Sequence, residues 1–172
     1  LTGAWRSTED ETVVQGPPSL VGSGMGSGLP RVVDAVLALV GLVTAAPLIG
    51  LAALAVKLTS AGPVLFRQQR VGRGGRPFEL LKVRTMTHGA GGLQVTAGDD
   101  RRITAVGRVL RRTKLDELPE LWNVVRGDMA LVGPRPEVPR YVDLSNPRWQ
   151  RVLEARPGIT DPVTLRLRDE EG

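Results

Sequence analysis

Between Ala35 and Val56 lie 22 consecutive residues without a charge, bounded by Arg31 and Asp34 on one side and Lys57 on the other. A helix of that length reaches across a hydrocarbon layer of about 30 Å. Few folds can bury such a block in a chain of 172 residues, which has room for one modest domain. Pro47 stands near its middle, where it removes a backbone donor and crowds the preceding turn, so a kink or break is expected there. A helix broken at that point can span the membrane, or enter one leaflet, turn and leave on the same side. Basic residues flank both ends, so local charge does not choose between these. The block therefore marks residues 31–57 as a membrane-embedded helix with Pro47 as its break.

Charge is unevenly divided along the chain. Residues 57–172 carry 21 Lys and Arg against 14 Asp and Glu, whereas residues 1–56 carry two against four. The basic excess places the C-terminal part on the cytoplasmic face whichever course the helix takes. Twenty of the 23 basic residues are arginine, whose planar fork binds phosphate oxygens in pairs. With only six aromatic residues, a nucleic-acid surface built on stacked bases would be poorly furnished, so nucleic acid is not an expected partner. The absence of cysteine removes thiolate nucleophiles and cysteine zinc sites. His88, the sole histidine, reads as a solvated loop residue and supplies neither a Ser-His-Asp triad nor a multi-histidine metal site.

Residues 1–30, rich in Gly, Pro and Ser, read as a disordered leader, and their acidic balance and distance from the apolar block argue against a secretory signal. After Lys57 the pattern turns to short β-prone runs, PVLFRQQRVG and PFELLKVRTM, joined by GRGGR as a hairpin. That loop has neither of the two common glycine-rich phosphate-binding spacings and is read as a turn. Residues 87–99 read as a loop able to cover a site. Ile103, Val106, Val109 and Leu110 recur at helical spacing. Leu118, Leu121, Trp122 and Val125 do so again, with Pro119 suited to the first turn of that helix and Gly127 to its end. ALVGPRP reads as a strand running into a rigid turn that holds Arg135 between two prolines, and residues 147–155 as a last helix. The fold class is thus α+β: a proline-kinked membrane helix, spanning or re-entrant, followed by a small mixed domain, residues 58–172, with a β-hairpin and several short amphipathic helices.

The chemistry concentrates in LDELPELWNVVRGDMALVGPRP, Leu115–Pro136. Asp116 and Glu117 follow Arg108, Arg111, Arg112 and Lys114 and stand at or just before a helix N-terminus, a place that favours anions. An acidic pair there can simply cap the helix. Alternatively, a carboxylate flanked by guanidinium and metal is a competent nucleophile toward phosphorus.

From about Arg31 onward, over roughly four-fifths of its length, the chain resembles the bacterial sugar transferases, monotopic polyprenyl-phosphate phosphoglycosyl transferases that initiate glycan and exopolysaccharide assembly. The resemblance rests on several ordered elements: the apolar helix with its proline, SAGPVLFRQQRVGRGGRPFELLKVRTM, TKLDELPELWNVVRGDMALVGPRP, and ARPGITDP. It implies that Asp116 attacks the sugar-bearing phosphate of a nucleotide diphosphate-sugar, expected to be a uridine diphosphate-sugar. A phosphosugar would be left on the carboxylate and passed to polyprenyl phosphate. It implies Mg2+ as cofactor, held by Asp116 and Glu117, with Glu117 the second member of the catalytic pair. Arg111 and Arg135, and more weakly Lys82 and Arg84, would contact substrate phosphate. It places the enzyme in the inner (cytoplasmic) membrane, in contact with lipid, catalytic domain on the cytoplasmic face. Two departures stand out. Ala46 occupies the position where such proteins commonly carry serine before the proline, and relatives continue beyond the point matching Gly172, so a C-terminally truncated domain is expected. Neither the sugar nor the oligomeric state is specified by any residue. Two non-catalytic alternatives are a membrane-anchored basic binding module and an inactive truncated scaffold.

Overall fold

The computed structural model describes residues 29–89 and 100–161. The expected leader, most of the covering loop and the last eleven residues lie outside the described residues.

The apolar block folds as one helix, α1, Arg31–Thr59, about 43 Å long at 1.5 Å per residue. It begins after Pro30, whose carbonyl accepts from Val33 and Asp34 N–H. Pro47 lies inside this span without interrupting it. One stripe of α1 is buried, through Asp34, Ala38, Ala52 and Val56, and much of the remaining surface is exposed and apolar, including Val32, Val43, Leu51 and Leu58. Small side chains on the buried stripe let the rest of the protein come close. The N-terminal half packs through Ala38 against Leu80, Val124 and Met129, and the C-terminal half through Ala52 and Val56 against Val83 and Leu110. Both halves therefore rest on the same polar body.

That body is built on an antiparallel hairpin, β1 Leu65–Val71 and β2 Pro77–Val83, in a register that sets Phe66 opposite Lys82 and Arg70 opposite Phe78. Its turn uses Gly74 and Gly75, both at positive φ, where a side chain would be strained. Alternation puts Phe78, Leu80 and Lys82 on one face of β2, so the strand that contributes to the core also delivers a lysine beside it. Next come α2, Ala105–Thr113, a 3-10 turn at Leu115–Glu117, α3, Glu120–Arg126, and β3, Ala130–Val132. Thr104 caps α2 by accepting from Gly107 N–H at 2.9 Å, and Gly127, at φ 96°, ends α3 as its sequence predicts. The last helix, α4, Pro147–Glu154, leads to β4, Gly158–Thr160, which pairs with β3 in parallel. The mixed helix-and-sheet class and the hairpin match the sequence reading. Sequence periodicity did not indicate β4, because three residues are too few for alternation to register.

Candidate active site

Asp116 and Glu117 sit in the 3-10 turn between α2 and α3. Their placement depends on Lys114, which has left-handed backbone geometry at φ 60° and is the one non-glycine with positive φ among the described residues. That conformation costs a lysine on the order of 1 kcal/mol. It stops α2 and turns the chain so that Asp116 is directed inward, 6% exposed.

Three acidic groups gather around Lys82. Its Nζ lies 2.9 Å from Glu117 Oε1 and 3.0 Å from Glu120 Oε1, and all three side chains are largely buried. Arg135 reaches Glu117 at 3.4 Å from the far side. Asp116 is treated differently: its Oδ1 is buried and has no hydrogen-bond partner among the described residues. Burial pushes the Asp116 carboxyl above its ordinary value, against the pull of Lys82 and Arg111, and the neighbouring Glu117 charge adds to the rise. For Glu117 burial acts in the same direction, but Lys82, Lys114 and Arg135 together outweigh it and hold the carboxyl below the usual range. Glu120 is pushed up by burial despite its contact with Lys82. The pair thus divides into one carboxylate neutralised by cations and one whose oxygen is left available.

These residues line a cleft of about 1200 Å³ that carries nine Lys and Arg side chains against three carboxylates. Such a wall selects an anionic ligand. Arg111 lines it, with Nε donating to Thr85 Oγ1 at 2.8 Å. Arg135 lines it from a turn held on three sides. Arg70 donates to Pro136 O at 3.0 Å, Val71 N–H donates to Glu137 O at 2.9 Å, and Gly158 N–H donates to Pro134 O at 2.9 Å. Gly133 and Gly158 approach so closely that a Cβ on either would collide with the other segment's backbone. The ARPGIT stretch thereby has a structural role: it grips the turn that aims Arg135. Arg84 also borders the cleft, but its terminal nitrogens donate to Ala61 O at 2.6 Å and to Ser60 O and Oγ at 2.9 and 2.8 Å, tying β2 to the end of α1.

The structure therefore brings Asp116, Glu117, Lys82, Arg111 and Arg135 around one cleft and commits Arg84 largely to the chain beneath it. Pro47 lies apart from the cleft, within α1. Sequence reasoning missed Glu120, which looked like part of an ordinary helix start, and Thr85. It also missed Asn123, wholly buried in α3, whose side chain donates to Glu79 O at 2.7 Å and accepts from Leu81 N–H at 3.1 Å. Those two bonds lie on either side of Leu80, just before Lys82, and set β2 against α3.

No group of three or more His, Asp or Glu side chains forms a metal cage among the described residues. Magnesium does not need one, because it keeps several waters and takes one or two carboxylates together with substrate phosphate. The partnerless Asp116 Oδ1, with Glu117 adjacent, fits that donor set.

Comparison with known proteins gives the family. The model of the bacterial sugar transferase family matches residues 25–171. A UDP-glucose:undecaprenyl-phosphate glucose-1-phosphate transferase of Caulobacter vibrioides is 44% identical over 96% of this chain and 67% of its own length. A UDP-N-acetylgalactosamine-undecaprenyl-phosphate N-acetylgalactosaminephosphotransferase of Aeromonas hydrophila is 39% identical over 83% of this chain and 35% of its own. A UDP-glucose:undecaprenyl-phosphate glucose-1-phosphate transferase of Escherichia coli is 42% identical over 80% and 31%. The chain thus spans from 31% to 67% of the length of these relatives. It belongs to the bacterial sugar transferase family.

Proposed function

We propose that this bacterial sugar transferase moves a sugar 1-phosphate from a uridine diphosphate-sugar to polyprenyl phosphate through a phosphosugar carried on Asp116. The observation that carries this reading is Asp116, which lines a cleft whose charges suit a diphosphate and keeps a buried Oδ1 with no partner among the described residues. A structural carboxylate would be expected to spend that oxygen on a hydrogen bond. In the first step Oδ1 attacks the phosphorus bearing the sugar, the bond to the bridging oxygen breaks, and uridine monophosphate leaves. In the second, an oxygen of polyprenyl phosphate attacks the same phosphorus and the carboxylate is released. Arg111 and Arg135 would neutralise charge on the phosphoryl oxygens, and Lys82 would keep Glu117 ionised beside the nucleophile. Magnesium held by Asp116 and Glu117 would add Lewis-acid charge stabilisation.

Packing bears on the membrane course. A spanning helix puts its ends on opposite faces, about 30 Å apart. Here Ala38 and Val56 both pack on one body rich in charge, which cannot extend through hydrocarbon. That supports a one-sided, re-entrant α1 with its bend at Pro47, and the basic excess of residues 57–172 favours the cytoplasmic face of the inner membrane for the body, where a lipid-linked phosphate is within reach of the cleft.

Intact-mass measurement after exposure to uridine diphosphate-sugars and magnesium tests the chemistry. The expected result is an added sugar phosphate with uridine monophosphate release, both abolished by Asp116→Asn. Turnover surviving that substitution would overturn the covalent step. A basic binding module would instead hold anions without release of nucleotide.

A further inference from the structure

Thr85 is 6% exposed and belongs to neither the acidic pair nor the Gly-Pro-Arg-Pro turn, yet it borders the cleft and is held from three directions. Its carbonyl accepts from Thr104 N–H at 3.0 Å and from Thr104 Oγ1 at 3.3 Å. Gly107, one turn into α2, lies so close that a Cβ there would overlap the Thr85 carbonyl. The start of α2 is thereby pressed against residue 85, and one turn later the same helix returns Arg111, whose Nε donates to the Thr85 hydroxyl at 2.8 Å.

We infer that Thr85 is a positioning residue for phosphate recognition: its hydroxyl oxygen anchors the Nε edge of Arg111 and so presents both terminal nitrogens of that guanidinium to the cleft as a two-pronged anion fork. Those terminal nitrogens have no partner among the described residues, although Arg111 is close enough to Asp116 to lower its proton affinity. A guanidinium fixed along one edge loses less freedom when the other edge takes up phosphate. The close approach of Gly107 has the same explanation, since it places α2 where Arg111 reaches residue 85.

This inference rests on the proposed diphosphate-sugar chemistry, but its test does not need turnover. Binding of uridine diphosphate and of inorganic pyrophosphate to the full chain in lipid nanodiscs is measured by calorimetry for wild type, Thr85→Val, Thr85→Ser, Arg111→Ala, Arg111→Lys and the Thr85→Val/Arg111→Ala pair. Thr85→Val should weaken both ligands about 10-fold, the scale of one charge-assisted contact. Thr85→Ser should restore most of that loss, and Thr85→Val should change binding less than about 2-fold once Arg111 is alanine. Arg111→Lys keeps the charge without the anchored edge and should lose about as much as Thr85→Val, which keeps the test decisive if Thr85→Val does not fold. Equal losses from Thr85→Val with and without Arg111, a serine variant as weak as valine, wild-type binding by Arg111→Lys, or no binding of either ligand by wild type would each overturn the inference. Failure of the catalytic reading looks different, because the coupled losses would persist in a protein that releases no uridine monophosphate.

Discussion

At the scale of single residues, the acidic cluster around Lys82 is governed by the balance between burial and the one shared ammonium. Glu120 holds its proton more tightly in the folded chain than in the unfolded one, because burial outweighs the Lys82 contact. Its contribution to stability is therefore fully present below the unfolded value of about 4.3 and is lost as pH rises through the higher folded value. Glu120→Gln, which still offers Lys82 an acceptor, should raise the melting temperature at pH 7 by about 2–4 °C, and the gain should vanish below about pH 4. Glu117 has the opposite sign, its folded value being lowered by Lys82, Lys114 and Arg135 against the cost of burial. Its contribution is present above about 4.3 and lost as pH falls through the lower folded value, so Glu117→Gln should melt below wild type at pH 7 and converge with it in acid. Thermal melts in detergent across that pH range check both. The acidic pair Asp116 and Glu117 beside an arginine cluster was visible in one dimension, whereas Lys82, Arg84, Arg111 and Arg135 became phosphate-binding candidates through the family resemblance. The sequence concealed Glu120 and Thr85, whose significance comes only from what faces them.

At the scale of elements, close approach explains several residues that propensity alone would leave arbitrary. Gly107 interrupts an otherwise good helix-forming run, at a cost of up to about 1 kcal/mol relative to alanine in an exposed helix. Here the usual sign reverses. Gly107→Ala would force α2 off residue 85 and should lower stability by about 1–3 kcal/mol, with a matching loss of anion binding, read by thermal melts and by calorimetry with pyrophosphate. Asn123 makes a comparable link between α3 and β2. Asn123→Ala orphans Leu81 N–H and Glu79 O in the core and should cost about 1–3 kcal/mol for each group left unpaired, checked by denaturant unfolding of the detergent-solubilised chain. Periodicity made α2, α3 and the hairpin legible, and Gly127 marked the end of α3 as expected. The 3-10 turn carrying the acidic pair was not separable from α3 in the sequence, since it depends on a lysine taking left-handed geometry that its side chain does not favour.

At the scale of the whole molecule, the decisive relation is between α1 and the body it lies on. Arg31 donates to Val125 O at 2.6 Å near one end of the helix, and Arg84 binds the Ser60 and Ala61 carbonyls at the other. The single substitutions Val32→Cys and Thr59→Cys, in a chain with no native cysteine, should both react with an impermeant maleimide from the same side of sealed inverted vesicles. Labelling from opposite sides would show a spanning helix instead. Local composition and spacing by themselves determined a long apolar helix, the hairpin and the basic character of residues 57–172, and the ordered motifs carried the family resemblance. Tertiary structure alone decided that both halves of α1 rest on one body. It also decided that ARPGIT clasps the Arg135 turn, and that Asp116 keeps a buried oxygen without a partner among the described residues while Glu117 is neutralised. Those outcomes join residues tens of positions apart, and contacts at that separation are set by which surfaces fit and which charges pair, quantities that have no period along the chain.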